Sequence, residues 1–262
     1  MGRLWRIRYV SPDGVEWPLM SETHRGVFLA EGGLGSVWGK RAENPIQVVG
    51  RDGQRRGRGG RLQGLSTSLE VVVTEGAGRS VGEVWAEWLR SWPLGQPGTL
   101  IVSSDTGLGE LSTPVRLSDD AGVSSFPYQP DETGYFTVSM PVVLDAGCWF
   151  FAASGVGTVE ITNSGDAVCV PRIMWSGSGG AVVAPSGATF VLPAVGAERV
   201  LTVDPAESYL VTDTAGVVDG DLWRRVRGGI RGGPVPPGGT AVWQLPTGAR
   251  LEWRIGVVNP WL

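Results

Sequence analysis

Acid, base and nucleophilic chemistry need particular side chains at workable spacings, and this chain supplies few of them. His24 is the single histidine, so any Ser-His-Asp or Cys-His arrangement would have to use it. It stands in the irregular run Ser-Glu-Thr-His-Arg-Gly with no nucleophile fixed nearby in sequence, which reads as a surface histidine. Ser36 and Ser178 both lack the glycine two positions earlier that a nucleophile elbow requires. Gly39-Lys40 fails as a phosphate loop, because Leu34 stands where the first glycine should be and Arg41 follows the lysine. The carboxylates Asp119-Asp120, Asp131-Glu132, and Asp213 with Asp219 and Asp221 are the remaining candidates for an acid/base pair or a calcium site. Turn and loop placement explains them more simply, and the spacing from Asp213 is not that of an EF-hand loop. No catalytic, cofactor or metal residue is assigned.

Two features point to binding instead. Arg51, Arg55, Arg56, Arg58 and Arg61 crowd a glycine-rich run over 51–64 that reads as a long mobile arm. Without interleaved aromatics the run lacks the stacking of a single-strand nucleic-acid binder, so phosphate contact would be its only mechanism there. Docking onto a neighbouring subunit is the favoured reading, beside a solvated loop and a DNA contact. The twelve tryptophans are the argument for a sugar ligand, since flat rings on a β-sandwich face stack on sugars. Trp85, Trp88 and Trp92 belong to a helical stripe, and Trp5, Trp17, Trp243 and Trp253 fit alternating core faces. Trp149, Trp175, Trp223 and Trp261 are taken as the candidate sugar contacts.

These residues must be held by many short strands and one clear helix. Forty-one glycines and eighteen prolines between apolar runs suit strands joined by tight turns. Residues 4–10 and 15–19 alternate around Ser-Pro-Asp-Gly as an opening hairpin, and further strands are expected near 27–29, 46–49, 69–74, 99–103, 114–117 and 135–144. Ser80-Val-Gly-Glu83 opens the helix as a capping box, and Val81, Val84, Trp85, Trp88, Leu89 and Trp92 form its apolar stripe before Pro93 ends it. After Asp145-Ala146-Gly147, a plausible boundary, nine apolar runs of strand length follow at regular spacing and argue for a sandwich. Two domains are expected, 1–145 and 146–262, in a mainly β fold.

The formal charge of −4 gives no overall drive toward nucleic acid or an anionic membrane. No window approaches the run of about 18 apolar residues that a spanning helix needs, and the N-terminus has no signal-peptide core, so a soluble, unprocessed chain is expected. Cys148 and Cys169 are too few for a disulfide scaffold. They could pair across a hairpin, although two small buried thiols are the simpler account.

Three segments carry a resemblance. Asn163-Ser-Gly-Asp leads into Pro171-Arg172-Ile173, Val203-Asp204-Pro205 follows, and Pro234-Val-Pro-Pro-Gly-Gly closes the set. Together they resemble the C-terminal, galectin-like β-sandwich of distal tail proteins (Dit-like minor tail proteins) of long-tailed bacteriophages. The opening hairpin, long loop, strand, helix and following strand keep the order of that family's N-terminal belt domain, a tail-tube-like β-sandwich or split barrel with one helix. The resemblance thus extends over nearly the whole chain. It implies a structural virion protein at the distal end of the tail, assembled in the host cytoplasm, six copies of which close into a ring. That ring would join the tail tube to the tail-tip hub and leave a channel through which DNA passes without sequence-specific binding. Its implied partners are its own copies, the tail-tube protein, the hub and tape-measure proteins and receptor-binding proteins, with no membrane, no cofactor and no enzyme activity. A carbohydrate-binding module for host cell-wall attachment is the alternative. The Asn163 run itself is expected to be a corner of the outer sandwich, whose alteration harms folding first.

Overall fold

The computed structural model describes residues 5–20, 23–42, 45–47, 54–56, 61–105, 109–118 and 134–261. The fold is mainly β with antiparallel sheets, and it divides into two compact units, 1–150 with 257–262, and 151–256. The second unit is therefore an insertion, since the last six residues belong to the first. A contiguous division at 145 does not capture that return.

The first unit begins with β1 (Trp5–Val10) and β2 (Glu16–Pro18), the hairpin expected from the Ser-Pro-Asp-Gly turn, in which Gly14 takes a positive φ. β3 (Val27–Leu34), β4 (Lys40–Arg41), β5 (Pro45–Gln47), β6 (Gln54–Arg56), β7 (Leu62–Gln63) and β8 (Leu65–Thr74) follow. Helix α1 (Val81–Arg90) comes next, then β9 (Gly98–Ser104), β10 (Glu110–Leu117) and β11 (Tyr135–Leu144). Neighbouring strands run β2-β1-β9-β10-β11-β8-β3. β8 and β11 pair over ten positions, from Leu65 opposite Leu144 to Thr74 opposite Tyr135.

Both capping-box bonds of α1 form. The Ser80 hydroxyl accepts the Glu83 amide, and the Ser80 amide donates to Glu83 Oε2 at 2.9 Å. The helix buries Val81, Val84, Trp85 and Trp88. Its indoles meet the inner faces of strands on two sides. Trp88 lies edge-on to Tyr9 of β1 and Trp17 of β2, while its Nε1 donates to Met140 Sδ of β11 at 3.0 Å. Trp92, just past the helix, stacks flat on Tyr9 at 3.9 Å. Each such ring contributes roughly 4–6 kcal/mol of apolar transfer as an upper bound, which makes this cluster the main anchor of the unit.

The second unit contains β12 (Trp149–Val156, from its third residue), β13 (Thr158–Thr162), β14 (Arg172–Gly177), β15 (Gly180–Val183), β16 (Thr189–Leu192), β17 (Val195–Thr202) and β18 (Val211–Thr212). Helix α2 (Gly220–Val226), β19 (Thr240–Gln244) and β20 (Ala249–Val257, up to Gly256) complete it. One sheet orders β18-β17-β14-β20-β12 and the other β13-β19-β15-β16. β13 and β19 alternate exposed and buried residues strictly, and Ile161, Ile173, Trp175, Leu201, Trp243 and Leu251 fill the layer between the sheets. Helix α2 has no apolar period long enough to read from sequence. It forms where Asp219, expected to lie in a polar connection, caps the Leu222 amide at 3.0 Å.

The three family-like segments meet at one corner of this unit. Asn163 and the Pro-Gly turn exchange backbone bonds, Asn163 N to Gly239 O at 2.9 Å and Gly238 N to Asn163 O at 2.8 Å. Cys169 and Val235 exchange two more, and Val203 N donates to Pro171 O at 3.0 Å. Asn163 is fully buried, its Nδ2 donating to the carbonyls of Ala167 and Val235 and its Oδ1 accepting the Gly165 amide. Both amide donors and the amide oxygen are satisfied inside the protein, as a structural corner requires.

Candidate assembly interface

The arginine-rich run is a hairpin arm. β4 pairs with β7, Ala42 N donates to Arg61 O at 2.8 Å, and β5 pairs with β6 with Ile46 opposite Arg55 and Pro45 opposite Arg56. Antiparallel pairing thus replaces the loop expected there, because ladder bonds use backbone groups that glycine supplies as well as any residue. Arg55 and Arg56 lie on β6, and Arg61 is exposed just before β7. Arg51 and Arg58 lie outside the described residues.

The root of the arm is clamped. Val37 is buried and its carbonyl accepts Trp149 Nε1 at 3.0 Å, while Gly39 N donates to Val258 O at 2.9 Å. A Cβ on Gly39 would land on the Gly147 carbonyl oxygen, and one on Gly147, whose φ is +62°, would land on that of Gln63. Glycine is required at both positions because two backbones pass in contact. Between the two anchors Trp38 turns outward, 54% exposed, a residue that sequence reasoning did not single out. Its signal was its place between the inward-facing Val37 and Gly39.

The candidate sugar contacts are placed differently. Trp149 and Trp175 are core residues, with relative exposures of 0% and 1%, and their indole N–H groups donate to Val37 O and Pro193 O. Neither has a free face to stack on a sugar. Their strands looked short and ambiguous in phase, which hid the inward direction of both rings. Trp223 is partly buried, donates to Ser208 O at 2.8 Å and carries the Arg227 guanidinium over its ring. Trp261 packs edge-on against Trp5 at 5.1 Å in the first unit. The four do not converge.

His24 is held in a turn, its Nδ1 accepting the Gly26 amide and its ring lying against Phe28. Asp213 Oδ1 accepts the amides of Ala215 and Val217, Asp219 pairs with Arg199 at 2.9 Å, and Asp221 pairs with Arg224 at 2.6 Å. The Leu222 amide first, and Arg199 second, hold the Asp219 carboxyl below the usual range. These three aspartates line a surface cavity of about 410 Å³ with Val217 and Val218, each already committed to turn, cap or ion pair. Asp119, Asp120, Asp131 and Glu132 lie outside the described residues. Among the described residues no cluster of three His, Cys, Asp or Glu has a metal-holding arrangement. Cys148 and Cys169 are both buried and no disulfide joins them, and burial pushes the Cys169 thiol up to about 11. No helix among the described residues is long and apolar enough to cross a membrane.

Neither protein-family models nor curated protein sequences match the chain, so relationship is carried by three-dimensional form. The structure of SPP1 Dit (gp 19.1), a paradigm of hub adsorption apparatus in Gram-positive infecting phages, superposes with a TM-score of 0.53 at 11% identity. That match covers 97% of this chain and 99% of SPP1 Dit. Chains of the phage p2 baseplate in its activated conformation, with Sr and with Ca, match with TM-scores of 0.56 and 0.55 at 11% and 12% identity. In each case 97% of this chain and 98% of the baseplate chain are covered. Over nearly its whole length the chain shares the fold of these phage hub and baseplate proteins.

Proposed function

We propose that this chain is a distal tail protein of the Dit type, a structural component of a long-tailed phage virion. One observation carries the reading. A two-unit fold with one unit inserted in the other is matched end to end by SPP1 Dit, with almost no unmatched segment on either side. The first unit is the belt domain, and the second is the galectin-like sandwich, serving as a spacer or as a docking site for receptor-binding proteins. Six copies close into a ring that seats on the tail tube and receives the hub and tape-measure proteins at the distal end of the tail. DNA passes through the centre.

A closed ring needs two different complementary patches per copy, repeated head to tail. The hairpin arm supplies one. Its root is clamped, its described backbone is paired, and the positive charge that Arg51, Arg55, Arg56, Arg58 and Arg61 give the run in sequence favours an acidic patch on the neighbouring copy as a charge-complementary, orienting contact. No step of this role requires a reacting group.

Negative-stain electron microscopy and native mass spectrometry of the purified chain test the reading. Sixfold rings are expected at micromolar concentration. A strictly monomeric protein that also fails to bind isolated tail tubes rejects it.

A further inference from the structure

We propose that a groove on the second unit binds a neutral saccharide, gripped by the ion pairs of Arg250 with Glu198 and Glu252 and by no tryptophan ring. This goes beyond the assembly reading and does not depend on ring formation.

The groove has a volume of about 540 Å³, within the range of roughly 300–1,000 Å³ that small-molecule sites occupy. Three paired strands build its floor. Met174 of β14 stands opposite Arg250 of β20, Ser176 lies two residues further along β14, and Glu198 comes from β17 on the other side. Two turns raise its rim. The Leu245 amide donates to Gly157 O at 2.9 Å, which ties the turn after β19 to the turn between β12 and β13. Pro246 lies so close to Gly180 that a Cβ there would meet the Pro246 Cβ at 2.7 Å. Val156, 72% exposed, completes the apolar rim with Leu245 and Pro246.

Arg250 is fixed from three directions. Its Nε donates to Glu252 Oε1 and its Nη1 to Glu198 Oε1, both at 2.9 Å, while Nη2 reaches Glu198 Oε2 at 3.4 Å and Met174 Sδ at 3.2 Å. Four of its five N–H groups are thereby directed, and one on Nη1 remains. Each carboxylate oxygen that it holds keeps a second lone pair for an incoming donor. Adjacent hydroxyls of a sugar ring are donors and acceptors at once, so one can donate to Glu198 while its neighbour accepts from Arg250. The apolar rim then meets the C–H groups of the ring. Ions fit less well. The lining carries one positive and one negative side chain, so an anion meets a guanidinium already engaged by carboxylates, and a cation meets a carboxylate already engaged by a guanidinium. A purely apolar ligand would strip water from the charged floor and return nothing for it.

Saturation-transfer NMR and titration calorimetry of the full chain with the methyl glycosides of glucose, galactose, mannose and N-acetylglucosamine test the site. At least one should bind with a dissociation constant on the order of 1 mM, as suits a small ligand in an open groove. Glu198→Ala removes an acceptor and frees the guanidinium, and should weaken that binding at least ~10-fold, whereas Glu198→Gln keeps an oxygen acceptor and should weaken it less. Ser176→Leu, at an exposed position, should abolish binding by covering the floor while the melting temperature stays in place, so the test stands even where the Glu198 variants lose stability. Silence of all four glycosides up to ~20 mM, binding unchanged in Ser176→Leu, or equal saturation by inorganic phosphate or lysine methyl ester overturns the proposal. A monomeric chain that binds a glycoside supports this site and rejects the assembly reading alone.

Discussion

Ser91 joins three parts of the first core through one small side chain and its carbonyl. Its Oγ accepts Trp17 Nε1 at 2.9 Å and donates to Glu87 O, and its carbonyl accepts the Tyr9 hydroxyl at 2.7 Å. Ser91→Ala leaves the Trp17 N–H buried without a partner, so urea denaturation should show a loss of about 1–3 kcal/mol with an unchanged m-value. Cys169 makes a prediction in pH. Burial raises its thiol from 9.0 to about 11, so its contribution is fully present below pH 9 and is lost as pH rises through 11, where the unfolded chain alone ionises first. Cys169→Ala should therefore lose less stability than wild type between pH 8 and 11, by about 2 kcal/mol in paired denaturation curves. At this scale the sequence was partly legible. The Asn163 run could be recognised as turn chemistry from its residue types, and its buried side chain confirms a corner. Ser91 could not, because nothing local marks a serine that serves two distant aromatics. Trp149 and Trp175 were misjudged for the same reason: the direction of a ring depends on the facing sheet.

The helix shows what local pattern can determine. Its cap, stripe and terminating proline all lie within fourteen residues, so α1 could be read almost to the residue, and Ser80→Ala should cost about 1 kcal/mol of stability, measured by thermal melting followed at the tryptophan fluorescence. The arm shows the opposite. Glycine density indicated a loop, yet the pairing of β4 with β7 and of β5 with β6 rests on backbone bonds between segments whose side chains carry no alternation. Replacing residues 43–60 by a short Gly-Ser link across the Arg41–Leu62 pair should leave the monomer's melting unchanged while abolishing the proposed ring in size-exclusion chromatography. Helix α2 escaped notice because seven residues hold too few turns for an apolar period, and only the cap at Asp219 announces it.

Two separate cores, one around Trp17, Trp88 and Trp149 and one around Trp175 and Trp243, give the molecule two cooperative blocks. Scanning calorimetry should resolve two transitions, of which Ser91→Ala lowers one and leaves the other in place. The return of 257–262 to the first unit was not legible in the sequence, since a closing strand looks alike whichever core receives its end. That return has a further consequence. The chain enters the 151–256 block through β12 and leaves it through β20, and these strands are sheet neighbours. Entry and exit therefore lie side by side, and the block is a cassette on a double tether. A protease that nicks one tether does not release it, and recombination can exchange its contents for another domain, or for a simple turn, without asking the first block to refold around new ends.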